Sequence, residues 1–211
     1  MKMNLPNKLT VLRMIMVPIF MAVMAIPELF AIGSTAHVIC NIVGVVLFIA
    51  ASLTDMLDGK IARKYNLVTD FGKFLDPLAD KFMVIGALLV ILYKTMGDAN
   101  VDPIFAAVFF WAVMIVIFRE LAVTSIRLVV SNSMGIVIAA NMLGKIKTCT
   151  QIACVIICIL ERAIYAALDN PPAFAAYLPL SLLLTVLMLV FTLWSGINYI
   201  ASYWKYMDPA K

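Results

Sequence analysis

Charge is scarce in this chain. Asp, Glu, Lys and Arg make up 13% of its 211 residues, against 64% hydrophobic residues, and the mean hydropathy is +1.05. Soluble globular domains carry about 25% charged residues, so that class is excluded. Histidine is nearly absent: His37 stands alone near the start of an apolar run and reads as a packing residue. The four cysteines, Cys40, Cys149, Cys154 and Cys158, lie in or beside apolar runs and form no C-x-x-C pair, so neither a zinc site nor a redox pair is signalled. A basic stripe with interleaved aromatics is missing as well, and the net charge of +4 therefore carries no nucleic-acid message. Internal repeats, low-complexity tracts and linkers are also lacking. Residues 1–211 read as a single domain.

Long apolar runs are what the chain has. A span across a bilayer needs about 20 residues, and six runs meet that length, at 9–30, 38–57, 77–96, 104–127, 147–168 and 178–201. Turn and loop signals separate them: Gly33 to Thr35, Gly59 to Gly72, Gly97 to Pro103, Ser131 to Gly135 and Asp169 to Pro172. Open strands cannot satisfy their backbone groups in lipid. The expected fold is therefore all-α, a polytopic membrane protein with six transmembrane helices. The start of the chain, with Lys2, Lys8 and Arg13 before apolar residues, has some of the look of a cleavable signal. Arg13 interrupts it and Pro18 lies inside it, so the first run is expected to stay as a spanning helix, preceded by a short interfacial stretch at 4–10.

Lys and Arg set the orientation. With both termini cytoplasmic, Lys2, Lys8, Arg13, Lys60, Arg63, Lys64, Lys73, Lys81, Arg119, Arg127, Lys145, Lys147, Lys205 and Lys211 fall inside. Only Lys94 and Arg162 are left near the other face, a strong positive-inside bias. Anionic lipid headgroups are natural contacts for the inside set.

Against this background, residues 55–80 spell D-x2-D-G-x2-A-R-x8-G-x3-D-x3-D: Asp55, Asp58, Gly59, Ala62, Arg63, Gly72, Asp76 and Asp80. An ionised side chain near the centre of a membrane helix costs about 2.5–3.5 kcal/mol, and neighbouring carboxylates repel. A cation is needed to hold them together. Asp55 and Asp58 are spaced i, i+3, and Asp76 and Asp80 i, i+4, so each pair shares a helix face. Packing the second and third helices side by side would bring all four into one pocket. Hard oxygen donors suit Mg²⁺ or Mn²⁺ rather than zinc, and two such ions about 4 Å apart clamp phosphoryl chemistry. Gly59, Ala62 and Gly72 leave room for a ligand against the backbone, while Arg63 offers a fork donor suited to phosphate. Helix caps and salt bridges explain one or two of the aspartates but not the small residues at these spacings.

The motif resembles the signature of the CDP-alcohol phosphatidyltransferase family, with all eight positions matched. That resemblance implies six membrane helices, a homodimer, two divalent ions (Mg²⁺ or Mn²⁺) and CDP-diacylglycerol as donor. It implies that Asp55, Asp58 and Asp76 hold the metals, and that Asp80 touches the second metal and acts as general base. Gly59, Ala62 and Gly72 would line the cytidine pocket, with Arg63 on the diphosphate. Asn7, Thr10 and Arg13 could reach the nucleotide from the first segment. The implied place is the bacterial cytoplasmic (inner) membrane, with the site on the cytoplasmic side.

For the acceptor, Arg119 and Arg127 lie eight apart on the fourth run, near one helical face, and Lys145 and Lys147 open the fifth. Cations in apolar sequence beside an active pocket imply an anionic acceptor, with a phosphate the natural match. The segments Asn4–Thr10, Phe74–Lys81, Arg119–Ala122 and Leu143–Thr148 resemble the branch of the family that accepts sn-glycerol 3-phosphate. Two rival readings remain. One keeps the chemistry with inositol phosphate or a phospholipid as acceptor. The other is a divalent-cation transporter, which would place its ligands near the bilayer midplane on broken helices.

Overall fold

The apolar runs become six α-helices in the computed structural model, which describes residues 4–30, 33–65, 69–134, 142–168 and 171–203. They are α1 (Leu5–Leu29), α2 (Ser34–Lys64), α3 (Asp70–Gly97), α4 (Pro103–Met134), α5 (Met142–Ala166) and α6 (Pro179–Tyr203); a 3₁₀ turn, Ala173–Tyr177, precedes α6. The described residues contain no strand.

Local chemistry sets the helix ends, and some differ from those expected. The Asn4 side chain accepts from the Asn7 amide, and Pro6 occupies the first turn, where a missing N–H costs nothing. Residues 5–10 are therefore the first turns of α1, not a separate interfacial stretch. The break read at Gly59 to Gly72 is also shorter than expected. Helix α2 continues through Gly59 to Lys64, and α3 starts behind Thr69, whose hydroxyl accepts from the Gly72 amide at 3.0 Å. Likewise α4 runs through Ser131 to Ser133.

Five segments are long and apolar enough to cross a membrane: Leu5–Leu29, Thr35–Leu57, Pro103–Arg127, Met142–Ala166 and Ala173–Tyr203. Six were expected. The exception is α3, which carries Asp76, Asp80 and Lys81 towards one end and Lys94 at the other, leaving only twelve uncharged residues between Lys81 and Lys94. Its surroundings explain how such a helix is accommodated: α3 packs extensively on α1 and also touches α4 and α5.

Packing departs from the expectation in one further respect. Helices α2 and α3 barely touch, because α1 lies between them and packs on both. Two glycines permit the approach. A Cβ at Gly44 would fall against the Met24 side chain, and one at Gly86 would come within 3.0 Å of Met21 Sδ and 3.2 Å of Val17 Cγ1. Around this, α5 pairs with α6 and α2, and α6 with α4.

Burial differs from that of a water-soluble bundle, in which large apolar side chains seldom cover the surface. Around an apolar core, apolar side chains also cover the outside and several polar ones lie within. Phe74, Ile104, Trp111, Phe118 and Ile197 face outward, whereas Thr10, Arg13, Lys94, Lys147, Gln151, Glu161, Ser181, Thr185 and Thr192 are buried. In lipid the polar side chains must find one another inside the bundle. At the end remote from the aspartates, Lys94 Nζ donates to Asn41 Oδ1 at 2.9 Å and sits 3.6 Å from Glu28, which lies equally close to His37. Arg162 reaches Thr95 and Asp98. Glu161 accepts from the amides of Leu180 and Ser181 and from the Ser181 hydroxyl, so its carboxylate closes the start of α6. A carboxylate at a helix N-terminus also meets the positive end of the dipole. Glu161→Ala is therefore expected to lower stability by about 1–3 kcal/mol, since these donors, and the Tyr165 hydroxyl with them, lose a buried acceptor. Thermal unfolding in detergent checks it; an unchanged midpoint would refute the capping role.

Candidate active site at the helix ends

Helix α1 organises the aspartates. Asn7, Thr10 and Arg13 are spaced three apart and buried, running along the part of α1 that faces α2 and α3. The Thr10 hydroxyl donates to Asp76 Oδ1 at 2.8 Å on α3. Arg13, fully buried, donates from Nη1 to Asp55 Oδ1 at 2.5 Å on α2. Asn7 exchanges hydrogen bonds with the Thr69 hydroxyl that caps α3, at 3.0 and 3.1 Å. A Cβ at Gly72 would lie 2.9 Å from Asn7 Oδ1 and 3.3 Å from Thr69 Oγ1. The glycine thus allows α1 to reach the cap. Asp55 of α2 and Asp76 of α3 are each tied to α1, while α2 and α3 themselves barely touch.

Asp80 stands half-buried one turn beyond Asp76, within electrostatic range of Asp55, Lys147, Glu120 and Arg13. Asp55 keeps 42% of its side chain exposed, and Asp76 is exposed. Gly59 is half-buried on α2. The side chains of Asp58, Ala62 and Arg63 lie outside the described residues. Among the described residues, no group of three His, Cys, Asp or Glu side chains is close enough to hold a metal. That set omits Asp58, which shares the face of Asp55.

Beside Asp80 opens a narrow cleft lined by Asp80, Lys81, Val84 and Ile85 of α3, Glu120 of α4, and Lys147, Thr148 and Gln151 of α5. Glu120 is its counter-charge. It accepts from Lys147 Nζ at 2.6 Å and from Arg119 Nη1 at 3.1 Å, while Arg119 Nη2 donates to Ser195 Oγ on α6 at 2.7 Å. Gly196 makes room for the Arg119 stem, since a Cβ there would lie 3.0 Å from Arg119 Cγ. Arg127 is exposed, 6.0 Å above the Tyr199 ring and within range of Lys81. The two arginines do share a face of α4, and it turns towards α6. Lys145 is exposed on α5. Of the four cations read as acceptor residues, Lys147 lines the Asp80 cleft and Arg119 joins it through Glu120; Arg127 and Lys145 do not line it.

Glu120 is a site residue that the sequence signals only weakly, as an acid next to Arg119 inside an apolar run. Asn7, Thr10 and Arg13, read as able to reach the nucleotide, are engaged within the protein: Thr10 and Arg13 with the carboxylates and Asn7 with the cap of α3.

Residues 3–202 match the family model of CDP-alcohol phosphatidyltransferase. The chain is 40% identical over 205 residues to the CDP-diacylglycerol–glycerol-3-phosphate 3-phosphatidyltransferase of Bacillus subtilis, covering 96% of both chains. It is 34% identical over 200 residues to a probable phosphatidylglycerophosphate synthase of Mycobacterium tuberculosis, covering 94% of this chain and 80% of the relative. With the CDP-diacylglycerol–glycerol-3-phosphate 3-phosphatidyltransferase 2 of Arabidopsis thaliana it shares 32% identity over 209 residues, covering 96% of this chain and 80% of the relative. An α1-tethered pair of aspartates, a third beside a cation-lined cleft, and a match along almost the whole chain agree: this protein belongs to the CDP-alcohol phosphatidyltransferase family and is a phosphatidyltransferase.

Proposed function

We propose that the protein transfers the phosphatidyl group of CDP-diacylglycerol to sn-glycerol 3-phosphate, releasing CMP and forming phosphatidylglycerophosphate. The observation that carries this reading is the cleft in which Asp80 and Lys147 lie together, a proton acceptor beside a cation. The names of the relatives point to the same acceptor.

Asp80 takes the proton of the acceptor hydroxyl as its oxygen attacks the β-phosphorus, and the P–O bond to CMP breaks. Lys147 and Arg119 turn from Glu120 to the acceptor phosphate, exchanging one anion for another. Arg127 and Lys145 guide it in from the exposed rim. Asp55, Asp58, Asp76 and Asp80 are hard oxygen donors that fit two Mg²⁺ or Mn²⁺ ions. Thr10 and Arg13 each hold one oxygen of Asp76 and Asp55, which aims these donors. Bound there, the ions would neutralise the diphosphate and acidify the attacking hydroxyl. Gly59, Ala62 and Gly72 line the nucleotide pocket and Arg63 pairs with the diphosphate. All six helices cross the bilayer with both termini cytoplasmic, α3 sheltered by its neighbours, and the site faces the cytoplasm of a bacterial inner membrane. The working unit is a homodimer.

The test is CMP release by purified protein in detergent with CDP-diacylglycerol and Mg²⁺, with and without glycerol 3-phosphate. Release that needs this acceptor and ceases with chelator supports the proposal. Release driven by inositol phosphate or a phospholipid instead would move the acceptor, and folded protein releasing no CMP with any acceptor would revive the transporter. Lys147→Met is expected to lower kcat/KM for glycerol 3-phosphate by about 10–100-fold, the worth of one hydrogen bond to a charged group. Its KM for CDP-diacylglycerol should hold; an equal rise in both would place Lys147 elsewhere.

A further inference from the structure

The floor of the Asp80 cleft holds a polar group that nothing among the described residues satisfies. Gln151 is 1% exposed, yet its Nε2 has no hydrogen-bond partner among the described residues. It lies on α5 one turn beyond Lys147, level with buried Val84, which is one turn beyond Asp80 on α3. Helices α3 and α5 both run away from the aspartate end, so Gln151 sits one layer deeper than either Asp80 or Lys147. A buried N–H without an acceptor is costly, and native proteins seldom keep one unless something else pairs it. As it stands the cleft has a volume of about 10 Å³, close to what a single water needs. If Lys147 leaves Glu120 as proposed above, the cleft opens to an acceptor.

We propose that Gln151 is a specificity-determining residue, whose carboxamide donates to the middle hydroxyl of a three-carbon phosphorylated acceptor. The assignment rests on the glycerol 3-phosphate reading above. With the reacting terminal hydroxyl at Asp80 and the phosphate at Lys147, the group left over the floor is the hydroxyl between them. A site built to hydrogen-bond a hydroxyl rejects the analogue that lacks it far more strongly than an apolar pocket would, because its own donor is then left unpaired.

The experiment compares glycerol 3-phosphate with 3-hydroxypropyl phosphate, which keeps the terminal hydroxyl and the phosphate and lacks only the middle hydroxyl. In the wild type, kcat/KM should favour glycerol 3-phosphate by at least about tenfold. In Gln151→Met, of similar length and without the N–H donor, the ratio should fall to within about twofold of one. A wild-type ratio near one overturns the inference, whatever the variant does. A tenfold ratio that survives in Gln151→Met, or in Gln151→Leu should the first fail to fold, overturns it too, as does an equal loss on both acceptors, which would put Gln151 on the phosphate. Should the wild type release no CMP with either compound but respond to another alcohol, the acceptor reading itself falls and this assignment with it.

Discussion

Asp80→Asn should abolish turnover while leaving the nucleotide lipid bound. Asparagine has nearly the same shape but cannot take a proton, and a positioned general base contributes about 10²–10⁴-fold. A fall in kcat of about 10³-fold is expected, with the dissociation constant for CDP-diacylglycerol changed by no more than about threefold. A Mg²⁺ titration separates two roles. If high Mg²⁺ restores the rate, Asp80 serves chiefly as a metal ligand; a rate that stays low at saturating metal supports the base. Near-normal turnover in the variant would remove Asp80 from the chemistry altogether.

Arg13→Met should damage both folding and catalysis. Arg13 is 0% exposed and its bond to Asp55 is 2.5 Å long, so the change deletes one half of a pair on the buried side of α1. Breaking a buried ion pair costs about 3–5 kcal/mol; the lower figure applies here because water reaches the Asp55 carboxylate. Such a loss would lower the detergent melting midpoint by several degrees, on the order of 5 °C or more. CMP release should fall by at least about tenfold even in the folded fraction, because Asp55 loses the contact that aims it. Arg13→Lys keeps a charge without the planar fork and should recover stability better than rate. A variant that melts as the wild type does and retains full activity would show that α1 only fills space.

The aspartate motif was legible because its spacing is itself a helix property: i, i+3 and i, i+4 place carboxylates on one face whatever the tertiary fold. The apolar runs were legible for the same reason, as length alone tests them against a bilayer. Periodicity names a face but not the neighbour it meets, so the wedge of α1 between α2 and α3 was not visible. Gly44 and Gly86 in apolar sequence looked like ordinary small residues, although they mark the approach of α1. Helix continuity through Gly59 and through Ser131 to Ser133 was obscured by polar residues that also signal turns. Glu120 and Gln151 were hidden differently. A single acid or amide in an apolar helix could face any of several partners, and only the packed bundle turns both into the cleft beside Asp80.

The position of α1 also bears on the order in which the helices are made. Alone in lipid, α3 would expose Asp76 near one end and Lys94 near the other, each opposing insertion. Partners for both are carried by α1: Thr10 for Asp76 and Glu28 for Lys94. Because α1 and α2 leave the ribosome before α3, the segment least able to enter a membrane unaided arrives to find partners for Asp76 and Lys94 already made, with Asn41 of α2 completing the set at Lys94.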